Sequence, residues 1–336
     1  MKLFFCDFWQ HFDREGFIFT RALREHHKVE IVDDSAQADI VVFSIFGQSH
    51  LYVPDRCVKV FYTGENICPD FNMADYAIGF EYLDYGDRYI RLPNYYCTPF
   101  GVKATLRMEH RPELSAEEAL QRRFCAMVIS AEPVGRETER QRIYRALCQY
   151  KTVDSGGRWN NNVGGPVSDK IQFQSGYKFA LAAENSVHPG YTTEKLVEAF
   201  ASGCVPVYWG DPEVTRVFNP DAFLRAADFA SYAQLADEVR RLDTDDDAYL
   251  SMLSAPPLVC PERDNYEVVY AKAVAWADHI ADQPLPDAIR RSPLSFSRIA
   301  LLRQPYESRF ASASPSAFDR LRIRLGRLKD QIRKRL

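Results

Sequence analysis

No G-x-G triplet occurs anywhere in the 336 residues, and the first thirty hold a single glycine, Gly16. The glycine-rich turn that lets backbone approach a dinucleotide pyrophosphate is therefore missing, and no G-K-[ST] follows the later glycines as a P-loop requires. Nicotinamide and P-loop chemistry go with them, although Tyr191 and Lys195 keep the Y-x-x-x-K spacing of short-chain dehydrogenases. No run approaches the roughly eighteen apolar residues that cross a bilayer. The opening apolar run Leu3–Cys6 is cut by Asp7, too short for the apolar core of a signal peptide. Positive charge is not in excess: a net charge of −4 leaves no footprint for nucleic acid. The eight cysteines form neither a C-x-x-C nor a regular framework, and no N-x-[ST] sequon is present. These absences read as a reduced, cytoplasmic protein. No D-x-D triplet ends a strand-like run, since Asp245–Asp247 falls in a polar turn, so no acidic pair is set to hold a metal.

What remains is an ordinary globular composition, 46% apolar and 26% charged, in a chain long enough for two domains. Lys2–Cys6, Val29–Val32, Asp39–Ile45 and Val58–Tyr62 read as strands, with a helix over Gly16–His26. A Tyr- and turn-rich stretch follows, and then a polar segment, His110–Glu118, that suits a linker. Phe124–Ser130 opens a fresh series, with a helix over Glu137–Tyr150 whose Ile143, Leu147 and Tyr150 share one side. Ala222–Ala226 reads as a strand, Tyr232–Leu242 and Tyr266–Ile280 as helices. This alternation predicts an α/β protein with one domain over roughly residues 1–115 and another over roughly 118–300.

The most informative stretch runs from Tyr177 to Val214. Tyr177–Ala183 is a short apolar run, Glu184–Gly190 has loop composition, and Thr192 or Thr193 can cap a helix burying Leu196, Val197, Phe200 and Ala201. Gly203 closes that helix and Cys204–Trp209 is a second buried strand. Two strands joined by one helix run parallel, and the loop leaving the first strand feeds the helix N-terminus, where anions are favoured. Lys195 adds a full charge in the first turn. A phosphate is the expected guest.

Within this stretch ENS, GYTTEK and AFASGCVPVYWGDPEV resemble the signature of the α-1,3/4-fucosyltransferases of glycosyltransferase family ten, the bacterial members in particular. TGEN, PDF, DYAIGF and DRYIRLP resemble the acceptor domain of the same enzymes, and RQRIYRAL their helix whose leading arginine contacts the nucleotide diphosphate. The likeness covers most of residues 1 to about 260. It implies a GT-B architecture, two Rossmann-like domains facing across a cleft, and inverting transfer of L-fucose from GDP-L-fucose to a GlcNAc or glucose unit. Carried over residue by residue, it makes Glu65 the general base, and Arg140 and Lys195 the countercharges of the GDP leaving group. Glu194 and Tyr191 would hold the ribose or fucose, and Asn185 would orient sugar or phosphate. The family's S-N-P-like turn is SAEP here, which changes the loop before Arg140.

The implied partners are GDP-L-fucose and an oligosaccharide acceptor of the LacNAc, type-1 disaccharide or lactose kind, in α-1,3 or α-1,4 linkage, on a surface glycan or lipopolysaccharide. No cofactor is required, and a divalent metal is at most stimulatory, since cationic side chains can replace it. Two alternatives remain: transfer of another GDP-sugar to a surface polysaccharide, and a nucleotide-sugar binding protein without catalysis. Residues 305–317 read as a flexible link, and the end as a basic amphipathic helix, eight Arg and Lys between Arg320 and Arg335 with Leu321, Leu325, Leu328 and Ile332 in helical register. Such a helix suits an anionic membrane surface on the cytoplasmic side.

Overall fold

Strands Lys2–Cys6 (β1), Glu30–Val32 (β2), Ile40–Phe43 (β3), Val58–Tyr62 (β4), Tyr76–Gly79 (β5) and Tyr89–Arg91 (β6) form one sheet in the order β2-β1-β3-β4-β5-β6. Arg123–Met127 (β7), Val153–Ser155 (β8), Tyr177–Ala183 (β9), Val205–Trp209 (β10) and Leu224–Arg225 (β11) form a second, ordered β11-β10-β9-β7-β8. Every pairing is parallel. The computed structural model describes residues 1–111, 113–130 and 137–292. The predicted link and basic helix at 305–336 lie outside the described residues. Residues 1–70 and 74–290 form one compact unit that holds both sheets.

Strand order reverses between β1 and β3 in the first sheet and between β7 and β9 in the second. Such switch points leave a crevice beyond the carboxyl ends of the strands, where ligands settle in doubly wound sheets. β9 is buried along its whole length, as its unbroken apolar sequence requires of a strand covered on both faces. Burying Phe179 or Leu181 there contributes on the order of 2 kcal/mol each. Gly203 closes the Glu194–Ala201 helix at a left-handed φ of 69°, and Arg107 Nε donates to the Ala201 carbonyl (2.8 Å), so the C-terminal end of that helix is tied down.

Several sequence expectations shift. The Tyr-rich stretch contains β5 and β6, too short to show an alternation, and the Pro99–Glu109 helix begins directly after it, capped by Thr98. The expected linker is in part a helix: Ser115 and Glu118 form a reciprocal capping box for Ala116–Leu120. Asp245–Asp247 is no turn, because Asp245 accepts from the Ala248 N–H and starts the Asp246–Ser254 helix. Ala222–Ala226 contracts to β11. The Tyr266–Ala281 helix, assigned from sequence to the second domain, packs on the Ile18–His26 helix beside the first sheet. There Arg21 donates to the Tyr266 hydroxyl (2.8 Å) and the His26 and His27 rings meet Asp278 (2.7 and 3.0 Å).

Candidate active site

The Glu194–Ala201 helix does start where an anion is favoured, but the anion is the protein's own. Glu184, fully buried at the end of β9, accepts from the Thr193 N–H (2.7 Å) and from the Thr193 hydroxyl (2.6 Å). Thr193 is the N-cap residue, yet its side chain caps nothing, because its hydroxyl is turned to Glu184. Lys195 Nζ donates to Thr193 Oγ1 (2.9 Å) and lies 3.3 Å from Glu184 and 3.2 Å from Glu194. Glu184 thus takes the N-cap N–H beside the place where the sequence reading expects a phosphate. The sequence pattern locates an anion site without saying which anion fills it, and the carboxylate nine residues upstream is already there.

Buried Asp211, just past β10, fastens the preceding loop by accepting from the Gly190 N–H (2.8 Å) and the Thr192 hydroxyl (2.9 Å). Gly190 needs its missing side chain: at φ 84°, a Cβ would stand 2.4 Å from the Phe80 carbonyl oxygen. The loop is thereby pressed against the first half of the molecule.

A cavity of about 560 Å³ opens at the two switch points. From the second half it is lined by Arg140, Lys170, Asn185, Glu194, Lys195 and Glu198, with residues 128–130 beyond β7. From the first half come Trp9 beyond β1, Tyr62 at the end of β4, and Asn94, Thr98 and Phe100. Four of the six predicted site residues therefore line one cavity. Arg140 reaches it from the second position of the Glu139–Cys148 helix and is largely buried, as a group facing inward should be.

Glu65 sits beyond β4 and meets the second half directly, where Asn185 Nδ2 donates to Glu65 Oε2 (3.2 Å). The same seam is bound by Asn66 donating to Ser186 Oγ (2.8 Å) and Asn94 donating to Glu194 Oε2 (3.2 Å). Tyr191 does not join the cavity lining. It is 3% exposed, its ring packs edge-on to Phe80 (4.9 Å), and its hydroxyl donates to the Gly64 carbonyl (3.4 Å). In this arrangement Tyr191 holds the loop that carries Glu65.

Sequence reading passed over Lys170 and Glu198, which form an ion pair against the cavity, Glu198 buried and Lys170 partly so. Their signal was faint: Asp169 is an ordinary N-cap for the short Lys170–Gln174 helix, and Glu198 lies one turn beyond Glu194. Trp9, too, had no pattern to announce it.

Burial would raise the Glu194 carboxyl, but the charges of Lys195 and Lys170 outweigh it and bring the pKa from its ordinary 4.5 down to about 2. For Lys195 burial disfavours the charge, and Glu184 and Glu194 more than restore it, so its pKa is raised. Burial and then the Glu184 charge raise that of Tyr191. A carboxyl depressed in the folded state contributes stability that is present above its unfolded value and lost below it. The Glu194 contribution therefore fades as pH falls from about 4.5 toward 2. Lys195 has the opposite sign, its contribution lasting up to its unfolded value of 10.5 and fading above that. Melting temperatures between pH 6 and pH 3 are expected to fall less steeply in Glu194→Gln than in the wild type, and equal slopes would remove Glu194 from this network.

Comparison with known proteins rests on the same elements. Residues 3–98 match the model of the alpha-(1,3)-fucosyltransferase FucT N-terminal domain, and residues 120–255 that of the glycosyltransferase family 10 C-terminal region. The alpha-(1,3)-fucosyltransferase FucT of Helicobacter pylori is 37% identical over 230 residues, 60% of this chain and 47% of that protein. The human 4-galactosyl-N-acetylglucosaminide 3-alpha-L-fucosyltransferase FUT6 is 35% identical over 41% of this chain and 39% of its own length. The chain thus spans less than half of these relatives. A crystal structure of an alpha1,3-fucosyltransferase superimposes with a TM-score of 0.74 at 28% identity, covering 87% of this chain and 92% of that one. One with GDP-fucose matches at 0.71. The two parallel-sheet halves are those of a GT-B architecture, and the chain belongs to glycosyltransferase family 10, among its bacterial-type fucosyltransferases.

Proposed function

We propose that the chain transfers L-fucose from GDP-L-fucose to a GlcNAc or glucose hydroxyl of an oligosaccharide, in α-1,3 or α-1,4 linkage and with inversion. The observation that carries this is the cavity itself, where Arg140, Lys170 and Lys195 converge from one half while Glu65 is held at its seam from the other. The diphosphate lies toward the cations, where charge grows as the sugar departs. Arg140 suits two phosphate oxygens at once, and Lys195 exchanges part of its carboxylate contact for phosphate. Glu194 takes the ribose or fucose hydroxyls.

In the step itself the acceptor oxygen bonds to the anomeric carbon, the bond from that carbon to the phosphate oxygen breaks, and the acceptor proton passes to Glu65. GDP leaves with the electron pair. No divalent metal is needed, because fixed cations already face the leaving group. The acceptor belongs to a surface glycan, and the work is done on the cytoplasmic side. No helix among the described residues is long and apolar enough to cross a membrane, and the basic end suits a peripheral contact with an anionic surface.

The test is incubation of the protein in EDTA with GDP-L-fucose and lactose, LacNAc or the type-1 disaccharide, read by product mass and linkage. One added fucose is the expected product. Bound GDP-L-fucose with no product from any acceptor would favour a binding protein, and transfer only from another GDP-sugar would reassign the donor.

A further inference from the structure

The cavity is divided by charge. All of its charged side chains, Arg140, Lys170, Glu194, Lys195 and Glu198, come from the second half, while the first half contributes Trp9, Tyr62, Phe100 and two neutral polar residues. An anionic donor is served by the former wall. A neutral acceptor carries no charge for those cations to meet, but a pyranose has one face of C–H bonds that packs well on an aromatic ring.

Trp9 is the aromatic side chain with the most elaborate support. It follows β1 in a loop where both Asp7 and His11 take left-handed backbone, φ 62° and 65°, unusual for residues other than glycine. The Asp7 carboxylate keeps that loop in place by accepting from the Ser49 and His50 N–H groups, 2.9 Å each, and pairing with His50 Nδ1 at 2.7 Å. Phe46 N–H donates to the Asp7 carbonyl (2.8 Å), so the loops after β1 and β3 are stapled together across the switch point. Phe12 meets the Trp9 ring edge-on at 4.8 Å and Phe46, itself 49% exposed, does so at 5.9 Å. A strained loop, a buried carboxylate and two bracing rings thus fix one indole at the wall opposite the cations.

We propose that Trp9, braced by Phe46, is the platform on which the acceptor's sugar ring stacks, and so the determinant of acceptor affinity. This rests on the transferase reading above. The test compares full-length wild type, Trp9→Ala, Trp9→Phe and Phe46→Ala in transfer from GDP-L-fucose to N-acetyllactosamine, with GDP affinity measured by calorimetry. Trp9→Ala is expected to raise the acceptor KM about tenfold or more while GDP affinity stays within about twofold. Trp9→Phe, which keeps a ring, should recover most of the loss, and Phe46→Ala should move acceptor KM the same way by less. An unchanged acceptor KM overturns the proposal, as does a matching loss of GDP affinity, which would make Trp9 a structural prop. Should Trp9→Ala fail to fold, Trp9→Phe and Phe46→Ala decide on the same readouts. Saturation-transfer NMR of N-acetyllactosamine on the GDP-loaded protein needs no turnover. Contact in the wild type that Trp9→Ala abolishes supports the platform even if no fucose is transferred, whereas intact contact in Trp9→Ala removes it.

Discussion

Lys195→Ala should lose both GDP affinity and stability, and the two losses should separate. In the folded protein this ammonium stands 3.3 Å from Glu184 and 3.2 Å from Glu194, and Glu184 is fully buried. Removing the cation strands a buried carboxylate, which costs on the order of 3 kcal/mol. A fall in activity alone would therefore prove little. The double variant Glu184→Gln with Lys195→Ala removes the stranded charge, while the Gln carbonyl can still accept from the Thr193 N–H. Its melting temperature should return most of the way to wild type. GDP affinity should not return, staying about 10- to 100-fold down for the lost charge-assisted contact. Transfer should fall further, by about 10²–10³, because the leaving diphosphate carries more charge in the transition state than in the ground state. Calorimetry that found wild-type GDP affinity in the double variant would take Lys195 out of the donor site.

The alternation of strand and helix was plain in the sequence wherever apolar runs were long. β1 and β4 fall on the residues expected of them, and the Tyr177–Val214 unit is the expected strand, helix and strand closed by the left-handed Gly203, although the Thr193 side chain does not cap the helix. Short strands were hidden: β5 and β6 are four and three residues long and carry tyrosine and arginine on turn-rich sequence, so their identity comes from the neighbours they pair with. The Tyr266–Ala281 helix was legible as a helix but not in its destination, since amphipathic spacing says which face is buried and not against what.

The site shows the same division. Types and rough places of charged groups could be read, hence Arg140, Asn185, Glu194 and Lys195 around one cavity. Pairing could not. That Glu184 takes the Thr193 N–H at the start of the helix, and that the Tyr191 hydroxyl is engaged with Gly64, depend on distances of a few ångströms set by Asp211, Gly190 and the Phe80 strand end. Trp9 illustrates the limit most sharply, because an aromatic residue after a strand is usually core, and only the tertiary fold brings it to the cavity.

Glu65→Gln is expected to leave donor binding almost untouched and to disable chemistry. Glu65 belongs to the loop beyond β4 in the first half, whereas Arg140, Lys170 and Lys195 all stand on the second. In an inverting transfer the attacking hydroxyl approaches the sugar carbon from the face opposite the departing diphosphate, so its base must come from across the cavity. Asn185 donates to Oε2 only, which orients the carboxylate and leaves Oε1 to take a proton. The glutamine keeps size and one hydrogen bond but has no basic oxygen, so kcat should fall by about 10²–10⁴, the usual worth of a general base. GDP affinity should remain close to wild type in the variant. Near-full turnover in Glu65→Gln would place the base elsewhere. Glu184 is then a poor substitute, being buried and engaged with Thr193 and Lys195, which leaves Asp70 and Glu194 as the carboxylates to replace next.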